Sequence, residues 1–281
     1  MGKRYPQRFK EIVKRYWKSR NEDEMLFLTA SSTSSAEQDK LPKAHFHNAF
    51  TMSALEGGSL PLSFKEHSVF LRPGEILIIG RKIPHMVEPL YKDEACNYRS
   101  ITINKELLGD ALLAKIKHSE NSVSKICDEQ MWQNFLKEQQ RMEDGDANGI
   151  SAIRDISEKI LSAIDDNVLF RFQVESPYIR TLIDYIEANY LASPDIAELA
   201  RVVNLSPYYL TRLFKQEVGM SPHAYINQLR INRAGDLIQQ GESLLGIAYE
   251  LGFADQSHFS KTFLKLTGMS PIRFNQVLKT N

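Results

Sequence analysis

The tetrapeptide Gly-Met-Ser-Pro is written twice in this chain, at residues 219–222 and again at 268–271, each time behind an apolar-periodic segment carrying a phenylalanine. Leu199, Ala200, Val203 and Leu205 align at a 48-residue shift with Ile247, Ala248, Leu251 and Phe253. After one inserted residue, Leu210, Phe214, Gly219, Ser221 and Pro222 align at a 49-residue shift with Phe259, Phe263, Gly268, Ser270 and Pro271. A self-similar period of this length marks a repeated supersecondary unit. Each unit reads as a short helix, a break of a few residues, a second helix, and then Gly-x-Ser-Pro. Glycine ends a helix in the left-handed conformation, serine caps the next helix, and proline fills its first position. The tetrapeptide is therefore a helix stop joined to a helix start. Two short helices across a tight turn form a helix-turn-helix, whose second helix enters the DNA major groove. A plain helical bundle is the alternative, but it has no need of a duplicated exposed polar face.

The residues around the repeat also carry a resemblance. The stretch SPYYLTRLFKQEVGMSPHAYINQLRINRAGDLI, followed by IAYELGFADQSHFSKTFLKLTGMSP, resembles the DNA-binding domain of the AraC/XylS family of transcription regulators over residues 178–279. The resemblance implies seven helices, two helix-turn-helix units and a long central helix between them. A helix from Pro222 to about Gln239 would run ~27 Å at 1.5 Å per residue, which suits two recognition helices in successive major grooves ~34 Å apart.

Helical periodicity divides the two recognition segments, residues 207–218 and 255–267. Leu210, Leu213 and Phe214 form the core stripe of the first, with Tyr208, Thr211, Arg212 and Lys215 off that stripe. In the second, Phe259, Phe263 and Leu266 are core, and Gln256, Ser257, Ser260 and Lys261 face away. Glutamine bonds adenine bidentately, and arginine or lysine reaches guanine or a phosphate. These eight exposed positions are the expected DNA contacts, and double-stranded DNA is the expected partner. Two positions depart from the family pattern: Leu264 stands where a lysine is usual, and Phe274-Asn275 replaces the usual Tyr-Arg pair.

A zero net charge conceals an uneven distribution. Residues 1–20 hold eight Lys/Arg against one Asp/Glu, residues 21–175 hold 17 against 25, and residues 176–281 hold ten against nine. The +1 of the last region predicts modest nonspecific DNA affinity. The basic head, KRYPQRFKEIVKRYWKSR, reads as a helix with Tyr16 and Trp17 docked on a neighbour, or as an electrostatic arm. No apolar run reaches the ~18 residues of a membrane span, and the head lacks the apolar stretch of a secretion signal. A cytoplasmic protein with no membrane partner is expected. Cys96 and Cys127 have no metal-like or redox spacing and read as ordinary thiols.

Upstream, MLFLTAS, HFHNAFTMSAL, LPLSF, HSVFL, EILIIG and NYRSITI are short β-branched or aromatic segments cut by Gly and Pro turns. They predict a small barrel or sandwich. In residues 105–172, Ile150, Ile153, Ile156, Ile160 and Ile164 share one helical face, as do Met131, Phe135 and Met142, and DGDANG is the turn of a helical hairpin. That apolar face serves either its own domain or a dimer interface. Ser176-Pro177 marks the following boundary.

AHFHNAFTMSALEGG, LRPGEILIIG and IPHMV resemble the cupin-like sensor domain of the same family. In metal-binding cupins, a His-x-His pair, a later carboxylate and a distant His converge. Here His45 and His47 share a face and His85 can join them, but the carboxylate position, near Thr51 or Met52, holds none. The favoured reading is that His45, His47 and His85 hydrogen-bond inside the barrel or touch an organic effector, with no metal and no cofactor. Glu56 and Glu75 are the possible substitutes, Glu75 being expected at the surface.

The expected fold class is α+β and multidomain. It comprises a basic arm or helix (1–24), a cupin-like effector domain (25–110), a helical linker or dimerisation region (111–175) and an AraC-type DNA-binding domain (176–281). The expected function is effector-controlled transcription regulation, with activation the family's commoner mode. A homodimer, and RNA polymerase as partner of an activator, follow from the resemblance. The rivals are a cupin-type metal enzyme fused to a helical domain and a regulator without a small-molecule effector.

Overall fold

The protein is described by a computed structural model covering residues 13–18, 25–34, 44–88, 90, 95–103, 108–144, 146 and 149–279. Strands β1 (Val13–Lys18), β2 (Met25–Ser34), β3 (Phe50–Gly57), β6 (Glu75–Ile79), β8 (Ala95–Ile103), β9 (Ser122–Cys127) and β10 (Val168–Arg171) form an antiparallel sheet ordered β1-β2-β8-β3-β6-β9-β10. Strands β4 (Leu60–Phe64), β5 (His67–Leu71) and β7 (His85–Val87) form a second sheet ordered β5-β4-β7.

Strand alternation decides which core each residue joins. Phe50, Met52, Ala54, Ile76, Ile78, Ile101 and Ile103 point from the large sheet to its helical side. Leu55, Leu77 and Ile79 point the other way and meet Leu60, Leu62, Phe64, Val69 and Leu71 of the small sheet. Between the sheets a polar ladder runs along β3 and β8, with Thr51 Oγ1 3.2 Å from Thr102 Oγ1 and Ser53 Oγ 2.7 Å from Ser100 Oγ.

Helices α1 (Asp110–Ile116), α2 (Glu129–Glu143) and α3 (Gly149–Ser162) cover the large sheet. Phe135, Ile153, Ile156, Ile160 and Ile164 are buried in that contact, so the isoleucine face is spent inside its own domain. The side chains of Met142 and Ile150 lie outside the described residues. A half-buried ion pair adds direction: buried Arg99 on β8 donates to the Glu56 carboxylate, and its Nη2 donates to Gln140 Oε1 on α2 at 2.9 Å.

The hairpin turn falls where expected, between α2 and α3, but two other expectations change. Residues 111–175 are not a separate linker, because β9 and β10 lie within them and extend the large sheet beyond β6. Their short stretches, SVSKIC and VLFR, are too brief to outweigh the neighbouring helical periodicity. In the basic head, Val13–Lys18 is a strand antiparallel to β2 rather than part of a helix. A short helix without a packed apolar face is marginal in water, whereas pairing to β2 joins this segment to the sheet. The side chains of Tyr16 and Trp17, and residues 1–12 and 19–24, lie outside the described residues.

From Pro177 the chain is helical: α4 (Pro177–Asn189), α5 (Ile196–Val202), α6 (Pro207–Val218), α7 (Pro222–Gln239), α8 (Leu244–Glu250), α9 (Gln256–Thr267) and α10 (Pro271–Lys279). Two cores flank α7. Tyr225, Ile226 and Leu229 pack with α4 to α6, whereas Ile231, Ala234, Leu237 and Ile238 pack with α8 to α10.

Candidate functional site

Capping fixes both recognition helices. Ser206 Oγ accepts from Tyr209 N at 3.3 Å at the start of α6, and Asp255 Oδ1 accepts from His258 N at 2.7 Å at the start of α9. Such caps contribute about 1 kcal/mol each. Gly219 (φ 87°) and Gly268 (φ 76°) end the helices in the left-handed conformation, and Ser221 and Ser270 cap the helices that follow. Leu210, Phe214, Phe259 and Phe263 are buried, with Leu213 and Leu266 packed at the core edge.

The opposite faces carry the eight expected contacts. Tyr208, Arg212, Lys215, Gln256, Ser257 and Lys261 are exposed, while Thr211 and Ser260 are half-buried. Thr211 Oγ1 donates to Pro207 O at 2.8 Å, which leaves its lone pairs to accept from a base amino group and its methyl to meet a thymine methyl. Leu264, at the usual lysine position, is exposed and apolar, and Phe274 is buried in the second core.

The two units are joined by a residue that periodicity does not single out. Arg230 on α7 is buried. Its guanidinium donates to Tyr190 O at 3.0 and 2.6 Å, Gly252 O at 3.1 Å and Ser193 Oγ at 2.6 Å, and lies 5.7 Å from the Phe253 ring centroid. One side chain thus ties the end of α4 to the turn between α8 and α9.

His45, His47 and His85 converge as expected. His45 and His85 exchange both backbone hydrogen bonds, at 3.0 and 2.9 Å. Ring centroids lie 4.4 Å apart for His45 and His85, 5.1 Å for His45 and His47, and 5.5 Å for His47 and His85. Their ligand-capable nitrogens all lie within 4.8 Å of one another. His85 pairs with Phe64 across β4 and β7, so it faces the space between the sheets. Its Nδ1 lies 2.9 Å from Ile83 O and therefore carries the hydrogen, leaving Nε2 as an acceptor. A closed structural zinc site takes four donors. At the expected carboxylate position, Thr51 hydroxyl is bonded to Thr102 instead. Glu56 is engaged by Arg99, and Glu75, half-buried rather than at the surface, pairs with Lys125 at 2.9 Å.

Burial depresses the His85 pKa from 6.5 to about 4, against a smaller raising effect of the Ile83 carbonyl. The unfolded chain therefore takes a proton at this residue between those values that the folded chain refuses. The stability from keeping His85 neutral is full above pH 6.5 and is lost as pH falls toward 4. Lowering the pH from 7 to 5 is expected to remove about 2 kcal/mol through this group. The urea midpoint should fall over that interval, and fall less in His85→Asn.

Between His45 and His47, Phe46 points the opposite way and leaves its own domain. It is fully buried in the first DNA-binding core, 4.9 Å from the Tyr225 ring. Polar contacts surround it. Lys82 Nζ lies 2.6 Å from Glu187 Oε2 on α4, and the other Glu187 oxygen accepts from Tyr225 OH at 2.9 Å. Burial first, and then Glu187, hold the Tyr225 phenol protonated well above its ordinary range. Glu217 on α6 accepts from the backbone N–H of Glu175 and Ser176 at 2.8 and 3.3 Å and lies 4.0 Å from Lys65 Nζ. The HFH alternation was the available signal for Phe46. For Lys82, Glu187 and Glu217 the sequence carries none.

Residues 199–276 match a protein family described as a helix-turn-helix domain. The HTH-type transcriptional regulator YbfI of Bacillus subtilis is 22% identical over 221 residues, covering 76% of this chain and 80% of its own length. The bifunctional transcriptional activator/DNA repair enzyme AdaA of Bacillus subtilis is 33% identical over 106 residues, 37% of this chain, and the chain spans half of its length. Among solved structures, the apo form of a ToxT variant of Vibrio cholerae aligns with a TM-score of 0.57 and 13% identity over 90% of this chain and 97% of that chain. Wild-type ToxT with an unsaturated fatty acid bound aligns with a TM-score of 0.55 and 15% identity over 94% and 99%. The likeness to ToxT is one of fold, with a β-rich N-terminal part joined to a helical C-terminal part.

Proposed function

We propose that this chain is a transcription regulator of the AraC/XylS type, reading a bipartite DNA site through α6 and α9 under the control of a small molecule held beside His45, His47 and His85. The observation that carries the DNA part is the pair of capped recognition helices, each with a polar face outward, mounted on the single helix α7. Tyr208, Thr211, Arg212 and Lys215 contact one major groove, and Gln256, Ser257, Ser260 and Lys261 contact the next.

Selection of bound duplexes from a random library tests the DNA reading and yields the operator. With that operator, Gln256→Ala is expected to relax preference at one base-pair position by about 1–3 kcal/mol. An unchanged selected sequence would remove Gln256 from the contacts.

For the effector, three clustered imidazoles and, separately, the Thr51–Thr102 and Ser53–Ser100 hydroxyl pairs supply polar groups to a space between the sheets that is otherwise lined by apolar side chains. That chemistry fits a small molecule with a polar head and an apolar body. The ToxT structure with a fatty acid bound makes carboxylic acids the first class to screen. An effector acts only by its differential affinity for two states of the protein. A ligand selective for the folded chain raises its melting temperature, by ~2.7 kcal/mol of added stability at a hundred times its Kd. A series of metabolites that leaves melting unchanged would favour a regulator without a small-molecule effector. Stoichiometric metal in the purified protein would favour the rival metal-dependent chemistry.

We place the protein in the cytoplasm as a non-enzymatic homodimer that engages RNA polymerase in activation. Since the isoleucine face of α3 is buried, a dimer would use the outer faces of the hairpin. Sedimentation equilibrium with and without operator tests the dimer.

A further inference from the structure

Between α6 and α9, beside the start of α7, lies a cleft of about 520 Å³. Lys215 lines it from α6, His223 and Asn227 from α7, and His258, Thr262 and Lys265 from α9. Residues 176–281 hold nine Asp/Glu against ten Lys/Arg, yet among the described residues no carboxylate lines this cleft. Basic groups are thus gathered here in a domain that is almost neutral as a whole. They already feel one another: His223 is held below its ordinary pKa first by partial desolvation and then by the charges of Arg230, His258 and Lys265. Cations collected in this way are relieved by an incoming anion.

Position identifies the anion. Lys215 stands one turn beyond Thr211 and Arg212 on α6, and His258, Thr262 and Lys265 follow one another at four- and three-residue spacing on α9, beside Lys261. The cleft therefore connects one reading face to the other. In a duplex read in two successive major grooves, the sugar-phosphate backbone that bounds the intervening minor groove passes between the two recognition helices.

We propose that this cleft seats the phosphodiester backbone between the two major-groove contacts, with Lys215 and Lys265 as its charged contacts and Asn227, His258 and Thr262 as hydrogen-bond donors. The proposal rests on the reading of α6 and α9 as DNA-recognition helices. It adds a sequence-independent clamp that fixes register, as phosphate contacts do.

The test uses the full chain and its selected operator. Binding is measured across a salt series for the wild type, Lys265→Gln and Lys265→Arg. Removing one phosphate contact lowers the slope of log K against log salt by about 0.9. Lys265→Gln is expected to show that decrease with the selected sequence unchanged, and Lys265→Arg to keep the wild-type slope. In parallel, ethylation of operator phosphates between the two half-contacts should block binding by the wild type, a readout independent of how any variant folds. An unchanged slope in Lys265→Gln together with no ethylation interference overturns the clamp while leaving the DNA reading intact. A wild-type chain that selects no duplex at all overturns both.

Discussion

Phe46→Ala is expected to separate the unfolding of the two halves of this protein. The ring is fully buried among residues of the first DNA-binding core although its backbone belongs to the sensor segment. Truncating a buried Phe costs about 3–5 kcal/mol, and here the loss falls on the junction. The Lys82–Glu187 pair beside it, with both side chains about a third exposed, contributes only about 0–1 kcal/mol. Both tryptophans, Trp17 and Trp132, lie in the N-terminal half, and Trp132 Nε1 donates to Leu55 O at 3.0 Å, so fluorescence reports that half. Far-UV circular dichroism at 222 nm reports chiefly the helices of the C-terminal half. In the wild type the two urea transitions should coincide. In Phe46→Ala they should part. Coincident transitions with an unmoved midpoint would show that Phe46 is not the joint.

The same residue gives the proposed effector a mechanical route. His45 and His47 face the sensor interior, whereas Phe46 between them sits in the DNA-binding core. A molecule that shifts the backbone of His45 and His47 on binding their imidazoles also shifts the Phe46 ring between them. Linkage then requires that DNA change the affinity for that molecule by the factor with which the molecule changes the affinity for DNA. Phe46→Ala should weaken this coupling while leaving the histidines in place.

How much of this was legible in the sequence depended on whether the signal was local. The stops and starts of α6, α7 and α9 are set by Ser, Asp, Gly and Pro acting within a few residues of themselves, so the Pro222–Gln239 bounds of α7 fall where expected. The shared face of His45 and His47 is local to HFH, whereas the approach of distant His85 was legible only through the resemblance to cupin-like domains. By contrast, β9 and β10 owe their strand state to partners in the large sheet, β6 for β9 and β9 for β10. Arg99 stands beside Glu56 only because β3 and β8 pair, and Lys82 meets Glu187 105 residues away. Arg230 was hidden most completely. It sits in a helix whose apolar residues serve two different cores, so no single stripe exposes it as a clamp.

Ala234→Pro in α7 is expected to have an effect as large as the loss of Phe46. Ala234 is fully buried in the second core, in the middle of the helix. Proline there lacks the N–H that would bond the carbonyl four residues earlier, and its ring collides with that carbonyl, at a cost of ~3 kcal/mol or more. The carbonyl belongs to Arg230, whose guanidinium holds the end of α4 to the turn after α8. A kink at this point displaces the clamp and changes the spacing between α6 and α9 together. The melting temperature should drop by roughly 6–12 °C, at about 2–4 °C per kcal/mol for a long chain that unfolds as one unit. More tellingly, affinity for the bipartite operator should collapse toward that for a single half-site, because the second contact is effectively intramolecular only while the spacing is fixed. A rigid connecting helix is thus the difference between one composite site and two weak ones. If Ala234→Pro keeps both its melting temperature and its preference for the intact operator, α7 is not the element that sets the spacing.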